Sequence, residues 1–310
     1  MPADRFFVVS WSEPVLSKLH HKIRTTPWLG RLVLKSIPNV QWRVNVKPIG
    51  KFYIRLRQHR MFWLRPPLLH EGFMLGCLQR LIRPGDVVYD VGANIGLYSR
   101  FILQCFKASH VYAFEPMPAN LLLLTRNLAA AGYASKITIF PCAVGDQDGT
   151  ADFQVDDLTS NSGSLDAVKH GEASESRSQY GLPPATTRVE VCCLDTLIEK
   201  GKLAKPDVIK IDIEGAEAMA LAGARNLLAA YRPRLVIELH GAEVTRSVLE
   251  SLWSLGYHCF GCLHENGTSA YREIAPPDLE SITGRYSLSY IAASHAIEDL
   301  NRPIEEFTAA

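Results

Sequence analysis

The sequence has no apolar run that approaches the roughly 18 residues of a membrane-spanning helix. Its N-terminus also lacks the order of charged start, apolar stretch and small-residue cleavage site that marks a signal peptide. Internal repeats, coiled-coil heptads and low-complexity tracts are absent from it as well. Together these absences predict a globular protein of the cytoplasm.

Cysteines are few and show no pairing pattern. The seven cysteines are odd in number, and several lie in apolar segments, as Cys77, Cys105 and Cys142 do. We therefore expect reduced, buried cysteines. With 47% hydrophobic and 21% charged residues, the chain of 310 residues has an ordinary globular composition and suits one large α/β domain with an appendage.

The formal net charge is only +1, but the charge is unevenly spread. Residues 1–85 contain 15 Lys and Arg against 3 Asp and Glu, whereas the remaining residues contain 18 against 29. Aromatic residues such as Phe52, Tyr53 and Trp63 lie among the basic ones. We define residues 1–69 as a basic N-terminal extension that either meets an anionic membrane surface peripherally or docks on the acidic remainder of the chain. Nucleic acid is not expected as a partner.

An apolar strand, an acid and a glycine loop follow one another within 86–99. Gly92 and Gly96 lack the Cβ atoms that would keep the backbone away from a ligand. A dinucleotide fingerprint requires a glycine where Asn94 stands. Asp90, at the strand end, suits the ammonium and sulfonium groups of S-adenosyl-L-methionine better than it suits a pyrophosphate. The loop therefore predicts a site for a cationic methyl donor.

A second apolar strand, at 110–114, ends in Glu115. An acid about twenty residues past a glycine loop of this kind typically accepts the hydroxyls of a ribose. The spacing between Gly96 and Glu115 agrees with that distance. The sequence therefore predicts that Glu115 binds the ribose of the methyl donor.

Three further polar residues follow later strands. Asp212 ends one apolar strand, and Glu238 and His240 end the next. Because open α/β sheets bind ligands at the carboxyl ends of their strands, we expect these side chains to meet near the donated methyl group. There a His or a carboxylate can accept the proton of a hydroxyl. Their ligand types also suit a divalent metal, but we assign no metal because no compact motif is present. Glu214 and Glu217 are explained by their favourable interaction with a helix N-terminus.

Alternating strand and helix signals predict a doubly wound, mostly parallel α/β sheet. The strands are expected at 86–91, 110–114, 137–141, 188–193, 206–212 and 234–239. The helices are expected at 68–82, 97–107, 117–131, 215–230 and 243–255. Segments near 257–263 and 285–292 close the sheet, with antiparallel pairing as one option. We place the main domain at 70–295 and a C-terminal tail at 296–310. The main domain contains a flexible insertion at about 157–187, which is either a substrate lid or a tolerated surface loop.

The motifs, in this order and at these separations, resemble those of the FkbM family of S-adenosylmethionine-dependent methyltransferases. The segments that carry the resemblance are Asp90–Ser99 (DVGANIGLYS), Phe114–Pro116 (FEP), Asn127, Ala143–Gly145 (AVG), Lys210–Glu217 (KIDIEGAE) and Val236–Glu238 (VIE). The resemblance covers about residues 70–260 and leaves out the extension and the insertion. It implies a class I methyltransferase fold, which is Rossmann-like, and S-adenosyl-L-methionine as the cofactor.

The resemblance also implies roles for particular residues. The residues expected at the cofactor are Asp90, Gly92, Asn94, Gly96, Tyr98, Ser99, Glu115, Pro116 and Ala143, with Ala143 at the adenine edge. The resemblance places Asp212 at the transferring methyl group, and Glu238 and His240 are expected beside it from their positions at the end of a strand. The implied activity is O-methylation of a hydroxyl on a glycan, a glycolipid or a secondary metabolite. Two alternatives stay open. One is methylation of an amine or carboxyl group on a peptide or small acid. The other is a non-catalytic module that docks on a membrane or a nucleic acid and has a vestigial cofactor pocket.

Overall fold

The computed structural model describes residues 32, 35–60, 62, 72–155, 163–165, 177–178, 182–265, 268–285 and 288–303. The strands are β1 (Gln41–Val46), β2 (Gly50–Arg55), β3 (Val87–Val91), β4 (His110–Phe114), β5 (Ile137–Phe140), β6 (Ala143–Val144), β7 (Gly149–Val155), β8 (Gly163–Leu165), β9 (Thr186–Cys192), β10 (Val208–Ile211), β11 (Arg234–Glu238), β12 (His258–Glu265), β13 (Thr268–Ile274) and β14 (Tyr290–Ser294). The α-helices are α1 (Gly72–Leu81), α2 (Leu97–Gln104), α3 (Pro118–Ala129), α4 (Leu194–Glu199), α5 (Glu217–Ala222), α6 (Arg225–Tyr231), α7 (Ala242–Ser254), α8 (Leu279–Arg285) and α9 (Ile297–Leu300).

An eight-stranded sheet forms the centre of the molecule, with strand order β13-β12-β14-β11-β10-β3-β4-β5. The five strands from β11 to β5 are parallel, and β14 runs antiparallel to both of its neighbours. From β3 the chain moves outward through β4 and β5 and later returns to β10 on the other side of β3. A ligand crevice is expected at such a reversal, next to the carboxyl ends of the strands. The predicted doubly wound, mostly parallel sheet is therefore confirmed.

Helices cover both faces of this sheet because successive strand residues point to opposite sides. Val88 and Val208 belong to a hydrophobic cluster that includes α1, α2 and α3. Their chain neighbours Tyr89 and Ile209 belong to a second cluster that includes α5, α6 and α7. Among the described helices, none combines the length and the apolar character that crossing a membrane requires.

The strand predicted at 188–193 forms, as β9, but it lies outside the central sheet. It belongs to a four-stranded sheet with the order β6-β9-β7-β8, in which β9 pairs parallel with β6 and antiparallel with β7. Most of the predicted insertion at 157–187 lies outside the described residues. Its part at Gly163–Leu165 is strand β8, which pairs with β7.

Two other expectations are wrong. The helix predicted at 215–230 is divided into α5 and α6, because Asp195 accepts hydrogen bonds from the backbone N–H groups of Asn226 and Leu227 and so starts a new helix there. The expectation of reduced cysteines fails for Cys142, which forms a disulfide with Cys192 across a Cα–Cα distance of 6.1 Å.

The described part of the basic extension forms a hairpin, β1–β2, that packs on the main domain. Phe52 and Ile54 are fully buried in the cluster of α1, α2 and α3. Tyr53 donates its backbone N–H to Asn127 Oδ1 at 2.7 Å and accepts a hydrogen bond from Asn127 Nδ2 at 3.0 Å. The guanidinium of Arg126 lies 3.8 Å from the centre of the Tyr53 ring. For these residues the docked alternative agrees with the structure, and the membrane contact stays a prediction.

Candidate active site

The glycine loop between β3 and α2 depends on left-handed backbone conformations. Gly92, Asn94 and Gly96 have φ values of 77°, 48° and 86°. A Cβ atom on Gly92 would overlap the carbonyl oxygen of Asp212, and one on Gly96 would overlap the side chains of Leu124 and Leu128. The glycines were expected to make room for a ligand. The structure shows that they also make room for the end of β10 and for helix α3, so that the loop lies against both.

A buried ion pair lies beneath the loop. Asp90 and Lys210 are both fully buried, and Lys210 Nζ lies 3.1 Å from Asp90 Oδ1. Ser99 Oγ donates to Asp90 Oδ2 at 2.6 Å. Lys210 Nζ also donates to the carbonyl of Gly92 at 2.8 Å, and it lies 4.9 Å from the centre of the Tyr98 ring. This pair holds the loop from below, within the protein.

The sequence prediction gives Lys210 no role, although this lysine begins the KIDIEGAE segment and lies inside the apolar strand 208–211. Burial lowers the pKa of its ammonium group, but the carboxylates of Asp90 and Asp212 outweigh that effect and raise the pKa above its ordinary value. Lys210 therefore carries its charge and compensates the charge of Asp90.

Glu115 lies at the end of β4, where its carboxylate is almost fully buried. It accepts hydrogen bonds from the backbone N–H of Asn94 at 2.9 Å, from the backbone N–H of Met117 at 2.9 Å and from Asn120 Nδ2 at 3.2 Å. Burial raises the pKa of Glu115 to about 7, although these hydrogen bonds lower it. Glu115 is predicted from the sequence but Asn120 is not, because the contact of Asn120 with Glu115 depends on the first turn of α3.

A cavity opens between the ends of β3, β4 and β10, at the reversal of strand order. The residues that line it are Gly92, Asn94, Phe114, Glu115, Pro116, Met117, Asn120, Cys142, Ala143, Val144, Phe153, Leu165, Asp212, Ile213, Glu214 and Ala216. Of the residues predicted at the cofactor, the cavity brings together Gly92, Asn94, Glu115, Pro116 and Ala143. Four others are not in its lining and belong to the support of the loop: Asp90, Gly96, Tyr98 and Ser99.

The smaller sheet forms one wall of the cavity. Phe153 on β7 and Leu165 on β8 are buried and pack with Ala143 in a small hydrophobic cluster. Because Leu165 belongs to the predicted insertion, the described part of that insertion contributes to the cavity wall. Sequence patterns did not identify Phe153 or Leu165, since only the pairing of β7 with β8 brings them to this place.

The ends of β10 and β11 bring Asp212, Glu238 and His240 together, as the sequence predicts. One ligand-type atom from each of the three lies within 4.8 Å of the other two. Two residues assigned only to helix stabilisation belong to the same group. Glu217 Oε1 lies 2.8 Å from His240 Nδ1, and Glu214 Oε2 lies 3.6 Å from His240 Nε2. We call these five residues the strand-end cluster.

The strand-end cluster contains more carboxylates than cations. Burial lowers the pKa of His240, but the hydrogen bond to Glu217 and the neighbouring carboxylates outweigh it and raise the pKa to about 11. Burial and the charge of Asp212 raise the pKa of Glu238 to about 8. Asp212 and Glu214 also line the cavity, so the cluster and the cavity share a wall. A molecule in the cavity would contact acidic side chains there.

Known proteins resemble this chain over the same region. The family model for the methyltransferase FkbM domain matches residues 90–259, which is more than half of the chain. A hexuronic acid methyltransferase, AglP, from Haloferax volcanii is 29% identical over 190 residues, covering 61% of this chain and 71% of that protein. A 31-O-demethyl-FK506 methyltransferase, FkbM, from Streptomyces tacrolimicus is 29% identical over 180 residues, covering 52% of this chain and 68% of that protein.

A crystal structure of a methyltransferase FkbM from Methylobacillus flagellatus is 20% identical, with a TM-score of 0.42 over 74% of this chain and 50% of that chain. The family match is the stronger finding, because it spans the glycine loop, Glu115 and the strand-end cluster, where the structure places its cavity. The chain therefore belongs to the FkbM methyltransferase family, and it is an enzyme whose cofactor is S-adenosyl-L-methionine.

Proposed function

We propose that the enzyme transfers the methyl group of S-adenosyl-L-methionine to a hydroxyl of a glycan, a glycolipid or a secondary metabolite. The observation that supports this most is the position of Asp212, which belongs both to the cavity lining and to the strand-end cluster. A methyl donor in the cavity would have groups that accept a proton beside it. An alcohol needs such a group, because its oxygen is a weak nucleophile while it holds its proton.

The proposed reaction is a direct displacement. The acceptor oxygen attacks the methyl carbon in line with the sulfonium, so that an O–C bond forms as the C–S bond breaks. The bonding electron pair goes to sulfur and gives S-adenosylhomocysteine. The hydroxyl proton goes to one of the two acids on the cavity wall, Asp212 or Glu214. Much of the rate enhancement would come from holding the two reactants in line.

The cavity residues supply the cofactor contacts in this proposal. Glu115 accepts hydrogen bonds from the ribose hydroxyls, and Ala143 lies at the adenine edge beside Phe153 and Leu165. Asp90 acts one layer further from the ligand, through Lys210 and the carbonyl of Gly92. The sequence prediction had given Asp90 the cationic end of the cofactor, but its buried partner in the structure is Lys210.

The names of the relatives support a hydroxyl acceptor. One is a hexuronic acid methyltransferase, another is a 31-O-demethyl-FK506 methyltransferase, and a third, NoeI from Sinorhizobium fredii, is a 2-O-methyltransferase that is 26% identical over 155 residues. Two of the three names specify methyl transfer to oxygen. The comparison supports an oxygen atom as the acceptor without selecting one acceptor molecule.

The test is acceptor screening with S-adenosyl-L-methionine that carries a deuterated methyl group. Purified enzyme is incubated with sugars, glycolipids and natural-product alcohols, and mass spectrometry detects the labelled products. We expect a labelled methyl ether, which survives mild alkali, whereas a methyl ester is hydrolysed. Asp212→Asn should lower product formation by about 10²- to 10⁴-fold while S-adenosylhomocysteine still binds. Labelled amines or alkali-labile esters as the only products would contradict the proposal.

A further inference from the structure

The strand-end cluster has a geometry that simple acid–base residues do not require. Asp212, Glu238 and His240 come from the ends of two adjacent parallel strands, and each offers one atom within 4.8 Å of the other two. Three atoms at that largest separation lie about 2.8 Å from the centre of their triangle, whereas a bond to a small divalent ion is about 2.1 Å long. Side-chain shifts of up to about 0.7 Å would therefore bring all three atoms to bonding distance of one ion.

The orientation of the His240 ring is fixed by Glu217. The Glu217 side chain is fully buried, and its Oε1 accepts hydrogen bonds from the backbone N–H of Gly215 at 3.0 Å and of Ile213 at 3.3 Å. Because an ionised carboxylate only accepts hydrogen bonds, the 2.8 Å contact to His240 Nδ1 assigns the ring proton to Nδ1. Metal-binding histidines are commonly held in this way by a carboxylate on the other ring nitrogen.

The second ring nitrogen faces two carboxylates at distances that exceed hydrogen-bond length. Nε2 lies 3.6 Å from Glu214 Oε2 and 3.8 Å from Glu238 Oε1. N–H···O hydrogen bonds are typically about 2.7–3.2 Å long. Without an ion these carboxylates favour the protonated ring. A divalent cation among Nε2, Glu238 and Asp212 would replace the Nε2 proton as the positive charge that the carboxylates face.

We infer that Asp212, Glu238 and His240 bind one divalent cation of the Mg²⁺ or Mn²⁺ class at the edge of the cofactor cavity. The two carboxylates suit these ions, which prefer oxygen ligands, and Mn²⁺ also accepts an imidazole nitrogen. Three protein ligands leave coordination positions for other molecules. No compact motif marks these residues in the sequence, so the sequence predicts no metal there. In the structure, two strands and helix α5 bring the ligands and their support together.

The role of the ion rests on the proposed transfer to a hydroxyl, whereas its binding does not. Asp212, one of the three proposed ligands, also lines the cavity, so an ion bound to it would lie at the cavity wall, where the acceptor hydroxyl could bind to it. With Asp212 occupied as a ligand, the hydroxyl proton goes to the Glu214 carboxylate. The oxygen then attacks the methyl carbon, and the electron pair of the broken C–S bond goes to sulfur. An acceptor with two neighbouring oxygens would bind best, because both can reach the ion.

The experiment is Mn²⁺ titration of the full chain in the presence of S-adenosylhomocysteine, followed by the electron paramagnetic resonance signal of free Mn²⁺. We expect one bound ion per chain. Asp212→Asn, Glu238→Gln and His240→Asn should each weaken binding by at least tenfold, and Glu217→Gln by about 10- to 100-fold. His258→Asn is the matched control, because His258 Nδ1 also lies 2.8 Å from a glutamate, Glu273, at a partly exposed place on β12. Its binding should equal that of the wild type.

Binding of S-adenosylhomocysteine within threefold of the wild-type affinity shows that a variant is folded. Wild-type protein that binds S-adenosylhomocysteine but leaves the Mn²⁺ signal at its free amplitude would overturn the inference. Mn²⁺ binding that all three folded ligand variants retain would overturn it as well. If methyl ether forms at the full rate after dialysis against a chelator, the ion has no part in the reaction, and the proposed function stands. One bound Mn²⁺ together with failure to methylate any alcohol would instead contradict the proposed function alone.

Discussion

The raised pKa of Glu115 makes a measurable prediction about cofactor binding. The carboxylate accepts three hydrogen bonds from the protein, yet its burial raises the pKa from 4.5 to about 7. If it also accepts the ribose hydroxyls, the ionised form binds the cofactor better than the protonated form. With a pKa near 7, about one tenth of the sites are ionised at pH 6 and about nine tenths at pH 8. We therefore expect the affinity to rise about tenfold between these pH values.

Isothermal titration calorimetry with S-adenosylhomocysteine at pH 6, 7 and 8 measures this change without turnover. In Glu115→Gln the affinity should be lower at pH 8 and should no longer depend on pH. Glu190→Gln serves as the control, because Glu190 is an exposed acid on β9, and it should keep the wild-type curve. A flat wild-type curve, or the same slope in Glu115→Gln, would refute the assignment of Glu115 to the ribose.

The same raised pKa makes the stability of the cofactor-free protein depend on pH in the opposite direction: cofactor affinity rises with pH, whereas stability falls. A carboxyl group whose pKa is raised on folding stabilises the fold fully below its ordinary pKa of 4.5. That contribution is lost as the pH rises through about 7, and it amounts to about 3 kcal/mol for a shift of this size. Saturating cofactor should offset part of the loss, because it binds the ionised form.

Three further predictions concern residues around the cavity. Asp212→Asn and His240→Asn should each lower turnover by about 10²- to 10⁴-fold, measured as single-turnover rates. Calorimetry should show a change of less than threefold in cofactor affinity. Equal losses in affinity and turnover would reassign both residues to cofactor binding. Lys210→Met should lower the free energy of unfolding in urea by about 3–5 kcal/mol, because it leaves Asp90 buried without its cation. Adding Asp90→Asn should restore part of that loss. An unchanged urea midpoint of unfolding in Lys210→Met would contradict the role of the ion pair. Asn127→Ala should cost about 1–3 kcal/mol in the same assay, since it leaves buried backbone groups unsatisfied, whereas a neutral effect would show that the hairpin is loosely attached.

The sequence was most informative where local rules decide the structure. The strands β3, β4, β10 and β11 are mostly apolar, and the turns after β3 and β10 contain glycines with positive φ. Their positions, and the convergence of Asp212, Glu238 and His240, follow from the parallel order of the strands. These features were predicted because the carboxyl ends of parallel strands meet at one edge of the sheet.

The sequence was uninformative where distant segments meet. The pairing of β6 with β9, and the disulfide between Cys142 and Cys192, join positions about fifty residues apart, and cysteine spacing does not specify a partner. Glu217 has the local features of a helix-stabilising acid, and its contact with His240 depends on how α5 packs beside β11. Lys210 was overlooked because its partner Asp90 lies 120 residues earlier in the chain.

The hairpin β1–β2 has a consequence for dividing this enzyme into parts. Asn127 binds the backbone of Tyr53 on one side and donates to the carbonyl of Ile95, within the glycine loop, on the other. Arg100 reaches from α2 to the carbonyl of Ile49. A shortened enzyme that begins at α1 would leave these groups without their partners directly behind the cofactor loop. Exchange of N-terminal segments between relatives would therefore need its joint before β1, so that the hairpin stays with the domain that it completes.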